Sequence, residues 1–191
     1  MAIFFTSDTH FFHNNILKFG RSKHFKDIYE HDETLIRNWN NVVAPSDTVY
    51  HLGDFCLKND QDILRRYLVR LNGKKHLIYG NHDNDKVHSR FLNEHLWESI
   101  SNYKIIEVTY RGNIYKIVLS HFPILEYYGA FKPHYFHLYG HIHDINNYDQ
   151  IYEKLEFKAA HVGVDTSNRF QNTDLYTPIE LKDIIRKLNI K

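Results

Sequence analysis

Short apolar runs recur in the first part of the chain, and each ends in a polar cluster. They occupy residues 2–6, 48–52 and 75–79. Runs of this length that stop at Gly, Asp or Asn are typical of buried β-strands. Between the second and third runs, apolar side chains from Ile63 to Leu71 follow helical spacing, with Asn59 placed to cap the helix and Gly73 just beyond its end. The pattern predicts strand, helix, strand.

Three further segments fit helices. Residues 33–41 place Leu35, Ile36 and Trp39 on one stripe, and residues 86–94 form a shorter candidate. Near the C-terminus, Thr177 and Glu180 have the spacing of a capping box, with a proline at the first helical position. This last signal predicts a helix from residue 177 to about residue 188.

The second half of the chain has more strand signals. Residues 105–110 and 114–119 flank the turn sequence Arg111-Gly112-Asn113, which predicts a β-hairpin. Residues 135–139 and 159–164 are two more candidate strands, the latter ending at Asp165. Because no linker, repeat or low-complexity segment interrupts the pattern, we predict one domain over residues 1–191.

Composition narrows the class of protein. The chain of 191 residues has a net charge of +1, so no long-range basic field favours extended nucleic-acid binding. Cys56 is the single cysteine, which excludes an intramolecular disulfide and a cysteine-rich zinc site. No window is long and apolar enough for a membrane span, and the first apolar run is too short for a signal peptide. These features predict a cytoplasmic protein without a membrane partner.

Histidine is the unusual component, with 15 residues in the chain. Several lie in the polar clusters that end the apolar runs, and ligand sites of α/β sheets assemble beyond the carboxyl ends of strands. The clusters are Asp8-Thr9-His10, Gly53-Asp54, Gly80-Asn81-His82-Asp83, Ser120-His121 and Gly140-His141-Ile142-His143. Imidazole, carboxylate and amide donors suit Mn, Fe, Zn or Ni. Seven such donors exceed the needs of one tetrahedral ion and suffice for two ions that share a carboxylate.

These five clusters, in this order, resemble the motifs of the calcineurin-like metallophosphoesterases. The resemblance spans residues 8–143. It implies an α/β (α+β) fold in which a two-sheet β-sandwich is flanked by helices in α/β/β/α layers. It also implies a metal-dependent phosphoric ester hydrolase with two divalent ions as cofactors, and Mn²⁺ is our choice for assays in vitro.

The resemblance also assigns roles to individual residues. Asp8, His10 and His143 would hold one ion, Asn81, His121 and His141 the other, and Asp54 would bridge them. His82 would protonate the leaving oxygen, with Asp83 orienting its ring, while a hydroxide that bridges the two ions attacks phosphorus.

One departure from the larger phosphatases of the family bears on the substrate. Their second motif continues Gly-Asp-x-x-Asp-Arg, whereas this chain reads Gly53-Asp54-Phe55-Cys56-Leu57-Lys58. The missing arginine argues against a protein phosphatase and favours the small bacterial and phage-type enzymes, with a phosphodiester of small or nucleotide type as substrate. Arg21, Lys132 and Arg169 are candidates for the phosphate contact, and His13 could either reach the substrate or lie on the surface. The alternatives are a phosphomonoesterase on a small metabolite, a non-catalytic scaffold and a nuclease subunit.

The other residues of note have simpler interpretations. We expect His51 and His161 to be structural and Cys56 to be a small buried hydrophobe. The seven remaining histidines are expected on the surface; they are His24, His31, His76, His88, His95, His134 and His137. Some aromatic residues could either stack a nucleobase or belong to the core, namely Phe11, Phe12, Phe131 and Tyr135.

Overall fold

Two β-sheets form the centre of the protein. The computed structural model describes residues 1–58, 60–143 and 147–190. The first sheet has the order β4-β3-β2-β1-β9, and its strands are β1 (Ile3–Thr6), β2 (Thr48–His51), β3 (Lys74–Ile78), β4 (Ser99–Ser101) and β9 (Ile179–Glu180). The second sheet has the order β5-β6-β7-β8, and its strands are β5 (Tyr103–Tyr110), β6 (Asn113–Ser120), β7 (Tyr135–Tyr139) and β8 (Ala159–His161).

The strands that carry the polar clusters run parallel within each sheet. Strands β1, β2 and β3 are parallel neighbours, with Phe5 opposite Tyr50, and so are β6 and β7, with Ile117 opposite Phe136. Only the edge pairs β1–β9 and β5–β6 are antiparallel among the described strands. Parallel strands end at a common edge, which brings the clusters of each sheet together.

Alternating side chains build two cores from the first sheet. Phe5 and Ile78 pack toward the second sheet against Ile117 and Phe136. The next side chain along β1, Phe4, belongs to a separate cluster on the outer face, together with residues of the helices α1 (Ile28–Val42) and α2 (Gln61–Leu68). Because successive strand residues point to opposite faces, one strand serves both cores.

The outer face of the second sheet is also covered. Val118 of β6 and Tyr139 of β7 pack with Tyr152 of α4 (Asn147–Lys154). The layers are therefore α/β/β/α, and the predicted two-sheet sandwich flanked by helices is confirmed. Across the described part of the chain, no helix is long and apolar enough to cross a membrane.

Most predicted elements are present, with shifted ends. Helix α1 begins five residues earlier than predicted because Asp27 caps it by accepting a hydrogen bond from the Glu30 amide. Helix α2 is capped by Asp60, while the predicted cap, Asn59, lies outside the described residues. The segment predicted as a helix over residues 86–94 consists of α3 (Asp85–His88) and a 3-10 turn over Ser89–Leu92. The predicted hairpin is confirmed, with left-handed φ angles of 50° and 81° at its turn residues Arg111 and Gly112.

The predicted start of the C-terminal helix is wrong. Residues 177–180 are not helical, and Ile179 instead pairs with Phe5 at the edge of the first sheet. Ile179 is fully buried between the sheets, so burial of its side chain outweighs the local capping signal. The helix that follows, α5, covers only Leu181–Lys187.

Candidate metal centre

The seven predicted donors lie at one edge of the sandwich, at the carboxyl ends of five strands. Backbone hydrogen bonds join the loops that carry them: the Asp8 amide donates to the Gly53 carbonyl (2.9 Å) and the His10 amide to the Asp54 carbonyl (3.0 Å). In the second sheet the Gly140 amide donates to the carbonyl of His121 (2.9 Å). These bonds fix the donor loops relative to one another.

The donor atoms form two groups. Asp8, His10 and His143 make up the first, and Asp54, His121 and His141 the second; within each group the candidate ligand atoms lie within 4.8 Å of one another. The Oδ1 atom of Asn81 lies 3.1 Å from Nε2 of His121 and so adjoins the second group.

Asp54 lies between the two groups. Its Oδ2 atom is 3.6 Å from Nε2 of His10 and 3.5 Å from Nε2 of His121. A carboxylate in this position can contribute to both groups, which is the arrangement that two ions about 3.5–4 Å apart require.

The hydrogen bonds of the imidazoles fit metal binding. His121 donates from Nδ1 to the Leu52 carbonyl (2.7 Å), and His143 donates from Nδ1 to the Asp165 carboxylate (2.7 Å). In each ring the bond leaves the Nε2 lone pair directed at the site, as in metal-ligating histidines generally. Nε2 of His10 is buried and has no hydrogen-bond partner among the described residues. A cation at the site would satisfy this atom.

The backbone at the donors is strained. Five of the seven have left-handed φ angles between 49° and 73°, namely Asp8, His10, Asp54, His141 and His143. Such angles are uncommon outside glycine, and strain of this kind concentrates at functional sites. Here it aims side chains from several loops at one point.

Two glycines let the loops approach the carboxylates. A Cβ atom on Gly80 would lie 2.2 Å from Oδ1 of Asp54, and one on Gly140 would lie 2.7 Å from Oδ2 of Asp8. Both contacts are closer than a side chain permits. The loops therefore approach the two carboxylates more closely than a residue with a Cβ atom would allow.

Burial sets the electrostatics of the site. Burial raises the pKa of Asp54, and the nearby Asp8 adds to this effect. For Asp8 burial acts in the same direction, but His161, His143 and His121 outweigh it and hold its pKa well below the usual value. Burial lowers the pKa of His10 and His141, which keeps both rings neutral and able to bind a cation.

A small cavity opens beside the donors. Its volume is about 220 Å³, and its walls include His13, His82, Ile16 and Phe19 besides the donors themselves. The His82 amide donates to Oδ1 of Asp54 (2.9 Å), and the His82 ring lies 5.5 Å from the His10 ring and 6.2 Å from the His13 ring. Two imidazoles outside the donor set therefore face the cavity.

Asp83 does not contact His82 in the way the resemblance implies. Its carboxylate accepts hydrogen bonds from three backbone amides, those of Asp54 (2.8 Å), Phe55 (3.0 Å) and Gly80 (2.9 Å). Its closest histidine is His88, at 3.5 Å. Asp83 therefore fastens the Asp54 loop to the Gly80 turn, because its carboxylate accepts backbone hydrogen bonds from both.

Arg21 lies beneath the site, which does not fit the predicted phosphate contact. The residue is only 1% exposed, and its guanidinium donates to the Asp8 carbonyl (2.6 Å), the Thr9 carbonyl (3.2 Å) and the Asp165 carboxylate (3.3 Å). The other acceptor is Nε2 of His31, at 2.9 Å. Arg21 therefore supports the donor loop from inside the protein.

Asp165 is a site residue that the sequence did not single out. It joins Arg21 to His143, and although burial would raise its pKa, the His143 hydrogen bond and the Arg21 charge lower it to about 2. Its position directly after the last predicted strand, which it shares with the donor clusters, is the signal that could have identified it.

The remaining candidates lie elsewhere. Arg169 is 4.0 Å from Asp149, and Lys132 faces the Tyr135 ring at 5.1 Å; neither lines the described cavity. Among the aromatic candidates, Phe11 is fully buried, while Phe131 is exposed outside the cavity.

The other histidines divide between core and surface. His51 and His161 are buried and bonded to Thr9 (3.0 Å) and Thr166 (2.9 Å), which confirms that they are structural. The surface prediction is wrong for three histidines, which are fully buried: His31, His88 and His137. Cys56 is buried, as predicted.

Comparisons with known proteins agree with this geometry. The family model described as calcineurin-like phosphoesterase matches residues 1–181. An uncharacterized protein of Methanocaldococcus jannaschii is 37% identical over 187 residues, covering 97% of this chain and 90% of the relative. The Gene 66 protein of Mycobacterium phage L5 is 31% identical over 130 residues, covering 62% of each chain. A solved structure, a protein of unknown function from Aquifex aeolicus, has a TM-score of 0.71 and 28% identity and covers 97% of this chain and 98% of its own.

Proposed function

We propose, since the chain belongs to the calcineurin-like phosphoesterase family, that it hydrolyses a phosphodiester of small or nucleotide type with two bound divalent ions. The observation that carries this proposal is the pair of donor groups on either side of Asp54, next to a cavity faced by His82. A site of this composition supplies ligands for two ions and an imidazole for proton transfer.

The donor set fits borderline divalent ions of the Mn, Fe, Zn or Ni type. We assign one ion to the group of Asp8, His10 and His143 and the other to Asn81, His121 and His141, with Asp54 shared. When bound, two such ions supply an activated water molecule and neutralise charge on the phosphoryl oxygens.

Two imidazoles of the chain complete the chemistry. We assign to His82 the transfer of a proton to the leaving oxygen. The hydrogen bond from its backbone amide to Asp54 holds His82 at the donors, while its ring faces the cavity. Burial lowers the pKa of His13, so its ring is neutral and can hydrogen-bond a phosphoryl oxygen of the substrate.

The walls of the cavity favour a diester over a monoester. Among the described residues that line it there is no Lys or Arg. A phosphomonoester dianion carries about twice the charge of a diester at neutral pH. A cavity whose described walls carry no Lys or Arg therefore suits the diester better.

The test compares bis-p-nitrophenyl phosphate with p-nitrophenyl phosphate on Mn²⁺-loaded protein. We expect the higher kcat/KM with the diester. A preference for the monoester would support the phosphomonoesterase alternative, and no turnover with Mn, Fe, Co, Ni or Zn would support the scaffold.

Two variants separate metal binding from proton transfer. Asp54→Asn is expected to lose metal and activity together. His82→Ala should keep its metal but lose about 10²–10⁴-fold in rate on a diester with an alkyl leaving group. His95→Ala, at an exposed histidine outside the site, is the matched control. Full activity of His82→Ala on the alkyl ester would exclude the proton-transfer role. The single domain over residues 1–191 and the cytoplasmic location stay predictions.

A further inference from the structure

The segment of residues 12–24, which we call the rim segment, borders the cavity and has an unusual composition. It contributes His13, Ile16 and Phe19 to the cavity wall. It contains no acidic residue, and its cations are Lys18, Arg21 and Lys23. Arg21 is buried and paired with Asp165, whereas both lysines are exposed. The segment that borders the cavity therefore carries two exposed lysines and no acidic residue.

Phe19 is the phenylalanine in the described cavity wall, whose other aromatic rings are imidazoles. Its side chain is 69% exposed although it adjoins the donors, whereas its apolar neighbour Ile16 is buried. A single exposed aromatic side chain is ordinary on a protein surface. What makes this one informative is its position, since it presents an open ring in the wall of the cavity beside the donors.

A second open ring lies beside the donors. Phe122 is 48% exposed, and its ring lies 4.6 Å from the His141 ring and 5.0 Å from the His121 ring. Exposed aromatic surface therefore also adjoins two donors of the second group.

The size of the cavity limits what it can enclose. At about 220 Å³ it is smaller than the roughly 300–1,000 Å³ of pockets that enclose a whole small-molecule ligand. It has room for a phosphate group and the atoms next to it. The rest of a nucleotide-type substrate would lie on the rim segment.

We propose that the rim segment binds a short single strand of nucleic acid, with one base stacked on Phe19 and neighbouring phosphates beside Lys18 and Lys23. Aromatic side chains stack any unpaired base, and cations along a groove hold the backbone. A paired base has no free face to offer, so a single strand fits better than a duplex. The overall charge of +1 limits the contact to a few phosphates. This inference rests on the proposed function and names the substrate class of that site.

The test measures binding without metal, so that it does not depend on catalysis. The probes are a fluorescein-labelled oligothymidylate and an abasic strand of equal length, titrated by anisotropy in EDTA. A stacked base is worth about 5- to 150-fold in affinity, so the oligothymidylate should bind more tightly by a factor in this range. Phe19→Ala should remove that preference, and Phe19→Trp should retain it.

Matched controls distinguish the rim segment from the general surface. Phe131→Ala, at a ring that is 81% exposed outside the cavity, should keep the preference. The double variant Lys18→Gln/Lys23→Gln should reduce the slope of log K against log salt by about 1.4 for both strands. Lys74→Gln alters an exposed lysine at the start of β3, at the opposite end of the strand from the site, and should leave the slope unchanged.

Three outcomes would overturn the rim proposal: no binding, equal affinity for the two strands, or an undiminished preference in Phe19→Ala. A protein that hydrolyses bis-p-nitrophenyl phosphate and gives any of these would keep its proposed function and lose only this substrate class. Base-dependent binding without hydrolysis would support the rim proposal and contradict the proposed function.

Discussion

Replacing Arg21 distinguishes a residue that supports the site from one that contacts the substrate. The guanidinium is buried and connects the Asp8 carbonyl with Asp165 and His31. In Arg21→Gln the shorter neutral side chain cannot span these partners. Asp165, whose side chain is 10% exposed, would lose its charged partner.

The expected cost follows from the burial of the pair. Removing one partner of a buried ion pair costs about 3–5 kcal/mol, because the remaining charge is then poorly compensated. Among the described residues, Asp165 would keep only its hydrogen bond from His143. For a chain of this length each kcal/mol corresponds to about 2–4 °C in Tm. We therefore expect Arg21→Gln to lower Tm by roughly 6–20 °C. In the double variant Arg21→Gln/Asp165→Asn the carboxylate is also gone, and part of the loss should be recovered.

The assay is thermal unfolding of the metal-free protein followed by circular dichroism, with Arg66→Gln at an exposed position as the control. A Tm within about 2 °C of the unaltered protein would correspond to less than about 1 kcal/mol and would refute the structural role. The same variant with an unchanged Tm and a raised KM would instead restore Arg21 as a phosphate contact.

Three further predictions concern pH, packing and metal. Burial lowers the pKa of His137 to about 4, whereas in the unfolded chain it is about 6.5, so the unfolded state binds the proton first as the pH falls. The free energy of unfolding, measured by urea denaturation, should therefore be fully retained above pH 6.5 and fall by up to about 3 kcal/mol toward pH 4 because of this residue. His137→Gln should weaken this pH dependence. Gly80→Ala places a methyl group against the Asp54 carboxylate, so metal content measured by plasma mass spectrometry should fall. Mn²⁺ at about 1,000 times its Kd should stabilise the folded protein by about 4 kcal/mol in calorimetry, and EDTA should reverse this, because the ions compensate buried carboxylates.

The sequence was most informative where one local rule acts alone. The donor clusters are predictable because a change from apolar to polar residues marks each strand end, and parallel strands bring their ends together whatever the order of the sheet. The hairpin at Arg111 and Gly112 was also predictable, since its two left-handed residues require a special turn sequence. In both cases the signal lies within a few residues of the feature.

The errors occurred where distant residues decide the outcome. Residues 177–180 carry a good capping sequence. Residues 179 and 180 nevertheless form strand β9, because they pair with the edge of β1 and Ile179 packs into the core between the sheets. His137 resembles a surface residue in its sequence context. In the fold its Nδ1 donates to the Val118 carbonyl (3.0 Å) and its Nε2 accepts from the Ile124 amide (3.1 Å), and these bonds permit full burial.

The predictions for Asp83, as the residue that orients His82, and for Arg21, as a phosphate contact, fail for the same reason. Asp83 adjoins two of the motif residues in the sequence and Arg21 is only a candidate phosphate contact there, and the sequence does not show toward which side either side chain points. Both point inward: Asp83 binds the amides beneath Asp54, and Arg21 joins the Asp8 carbonyl to the carboxylate that orients His143. A site that gathers two carboxylates and several strained loops needs such inward support, because its donors repel one another until cations bind. Arg21 supplies a permanent positive charge beneath Asp8, and the metal ions would supply the rest.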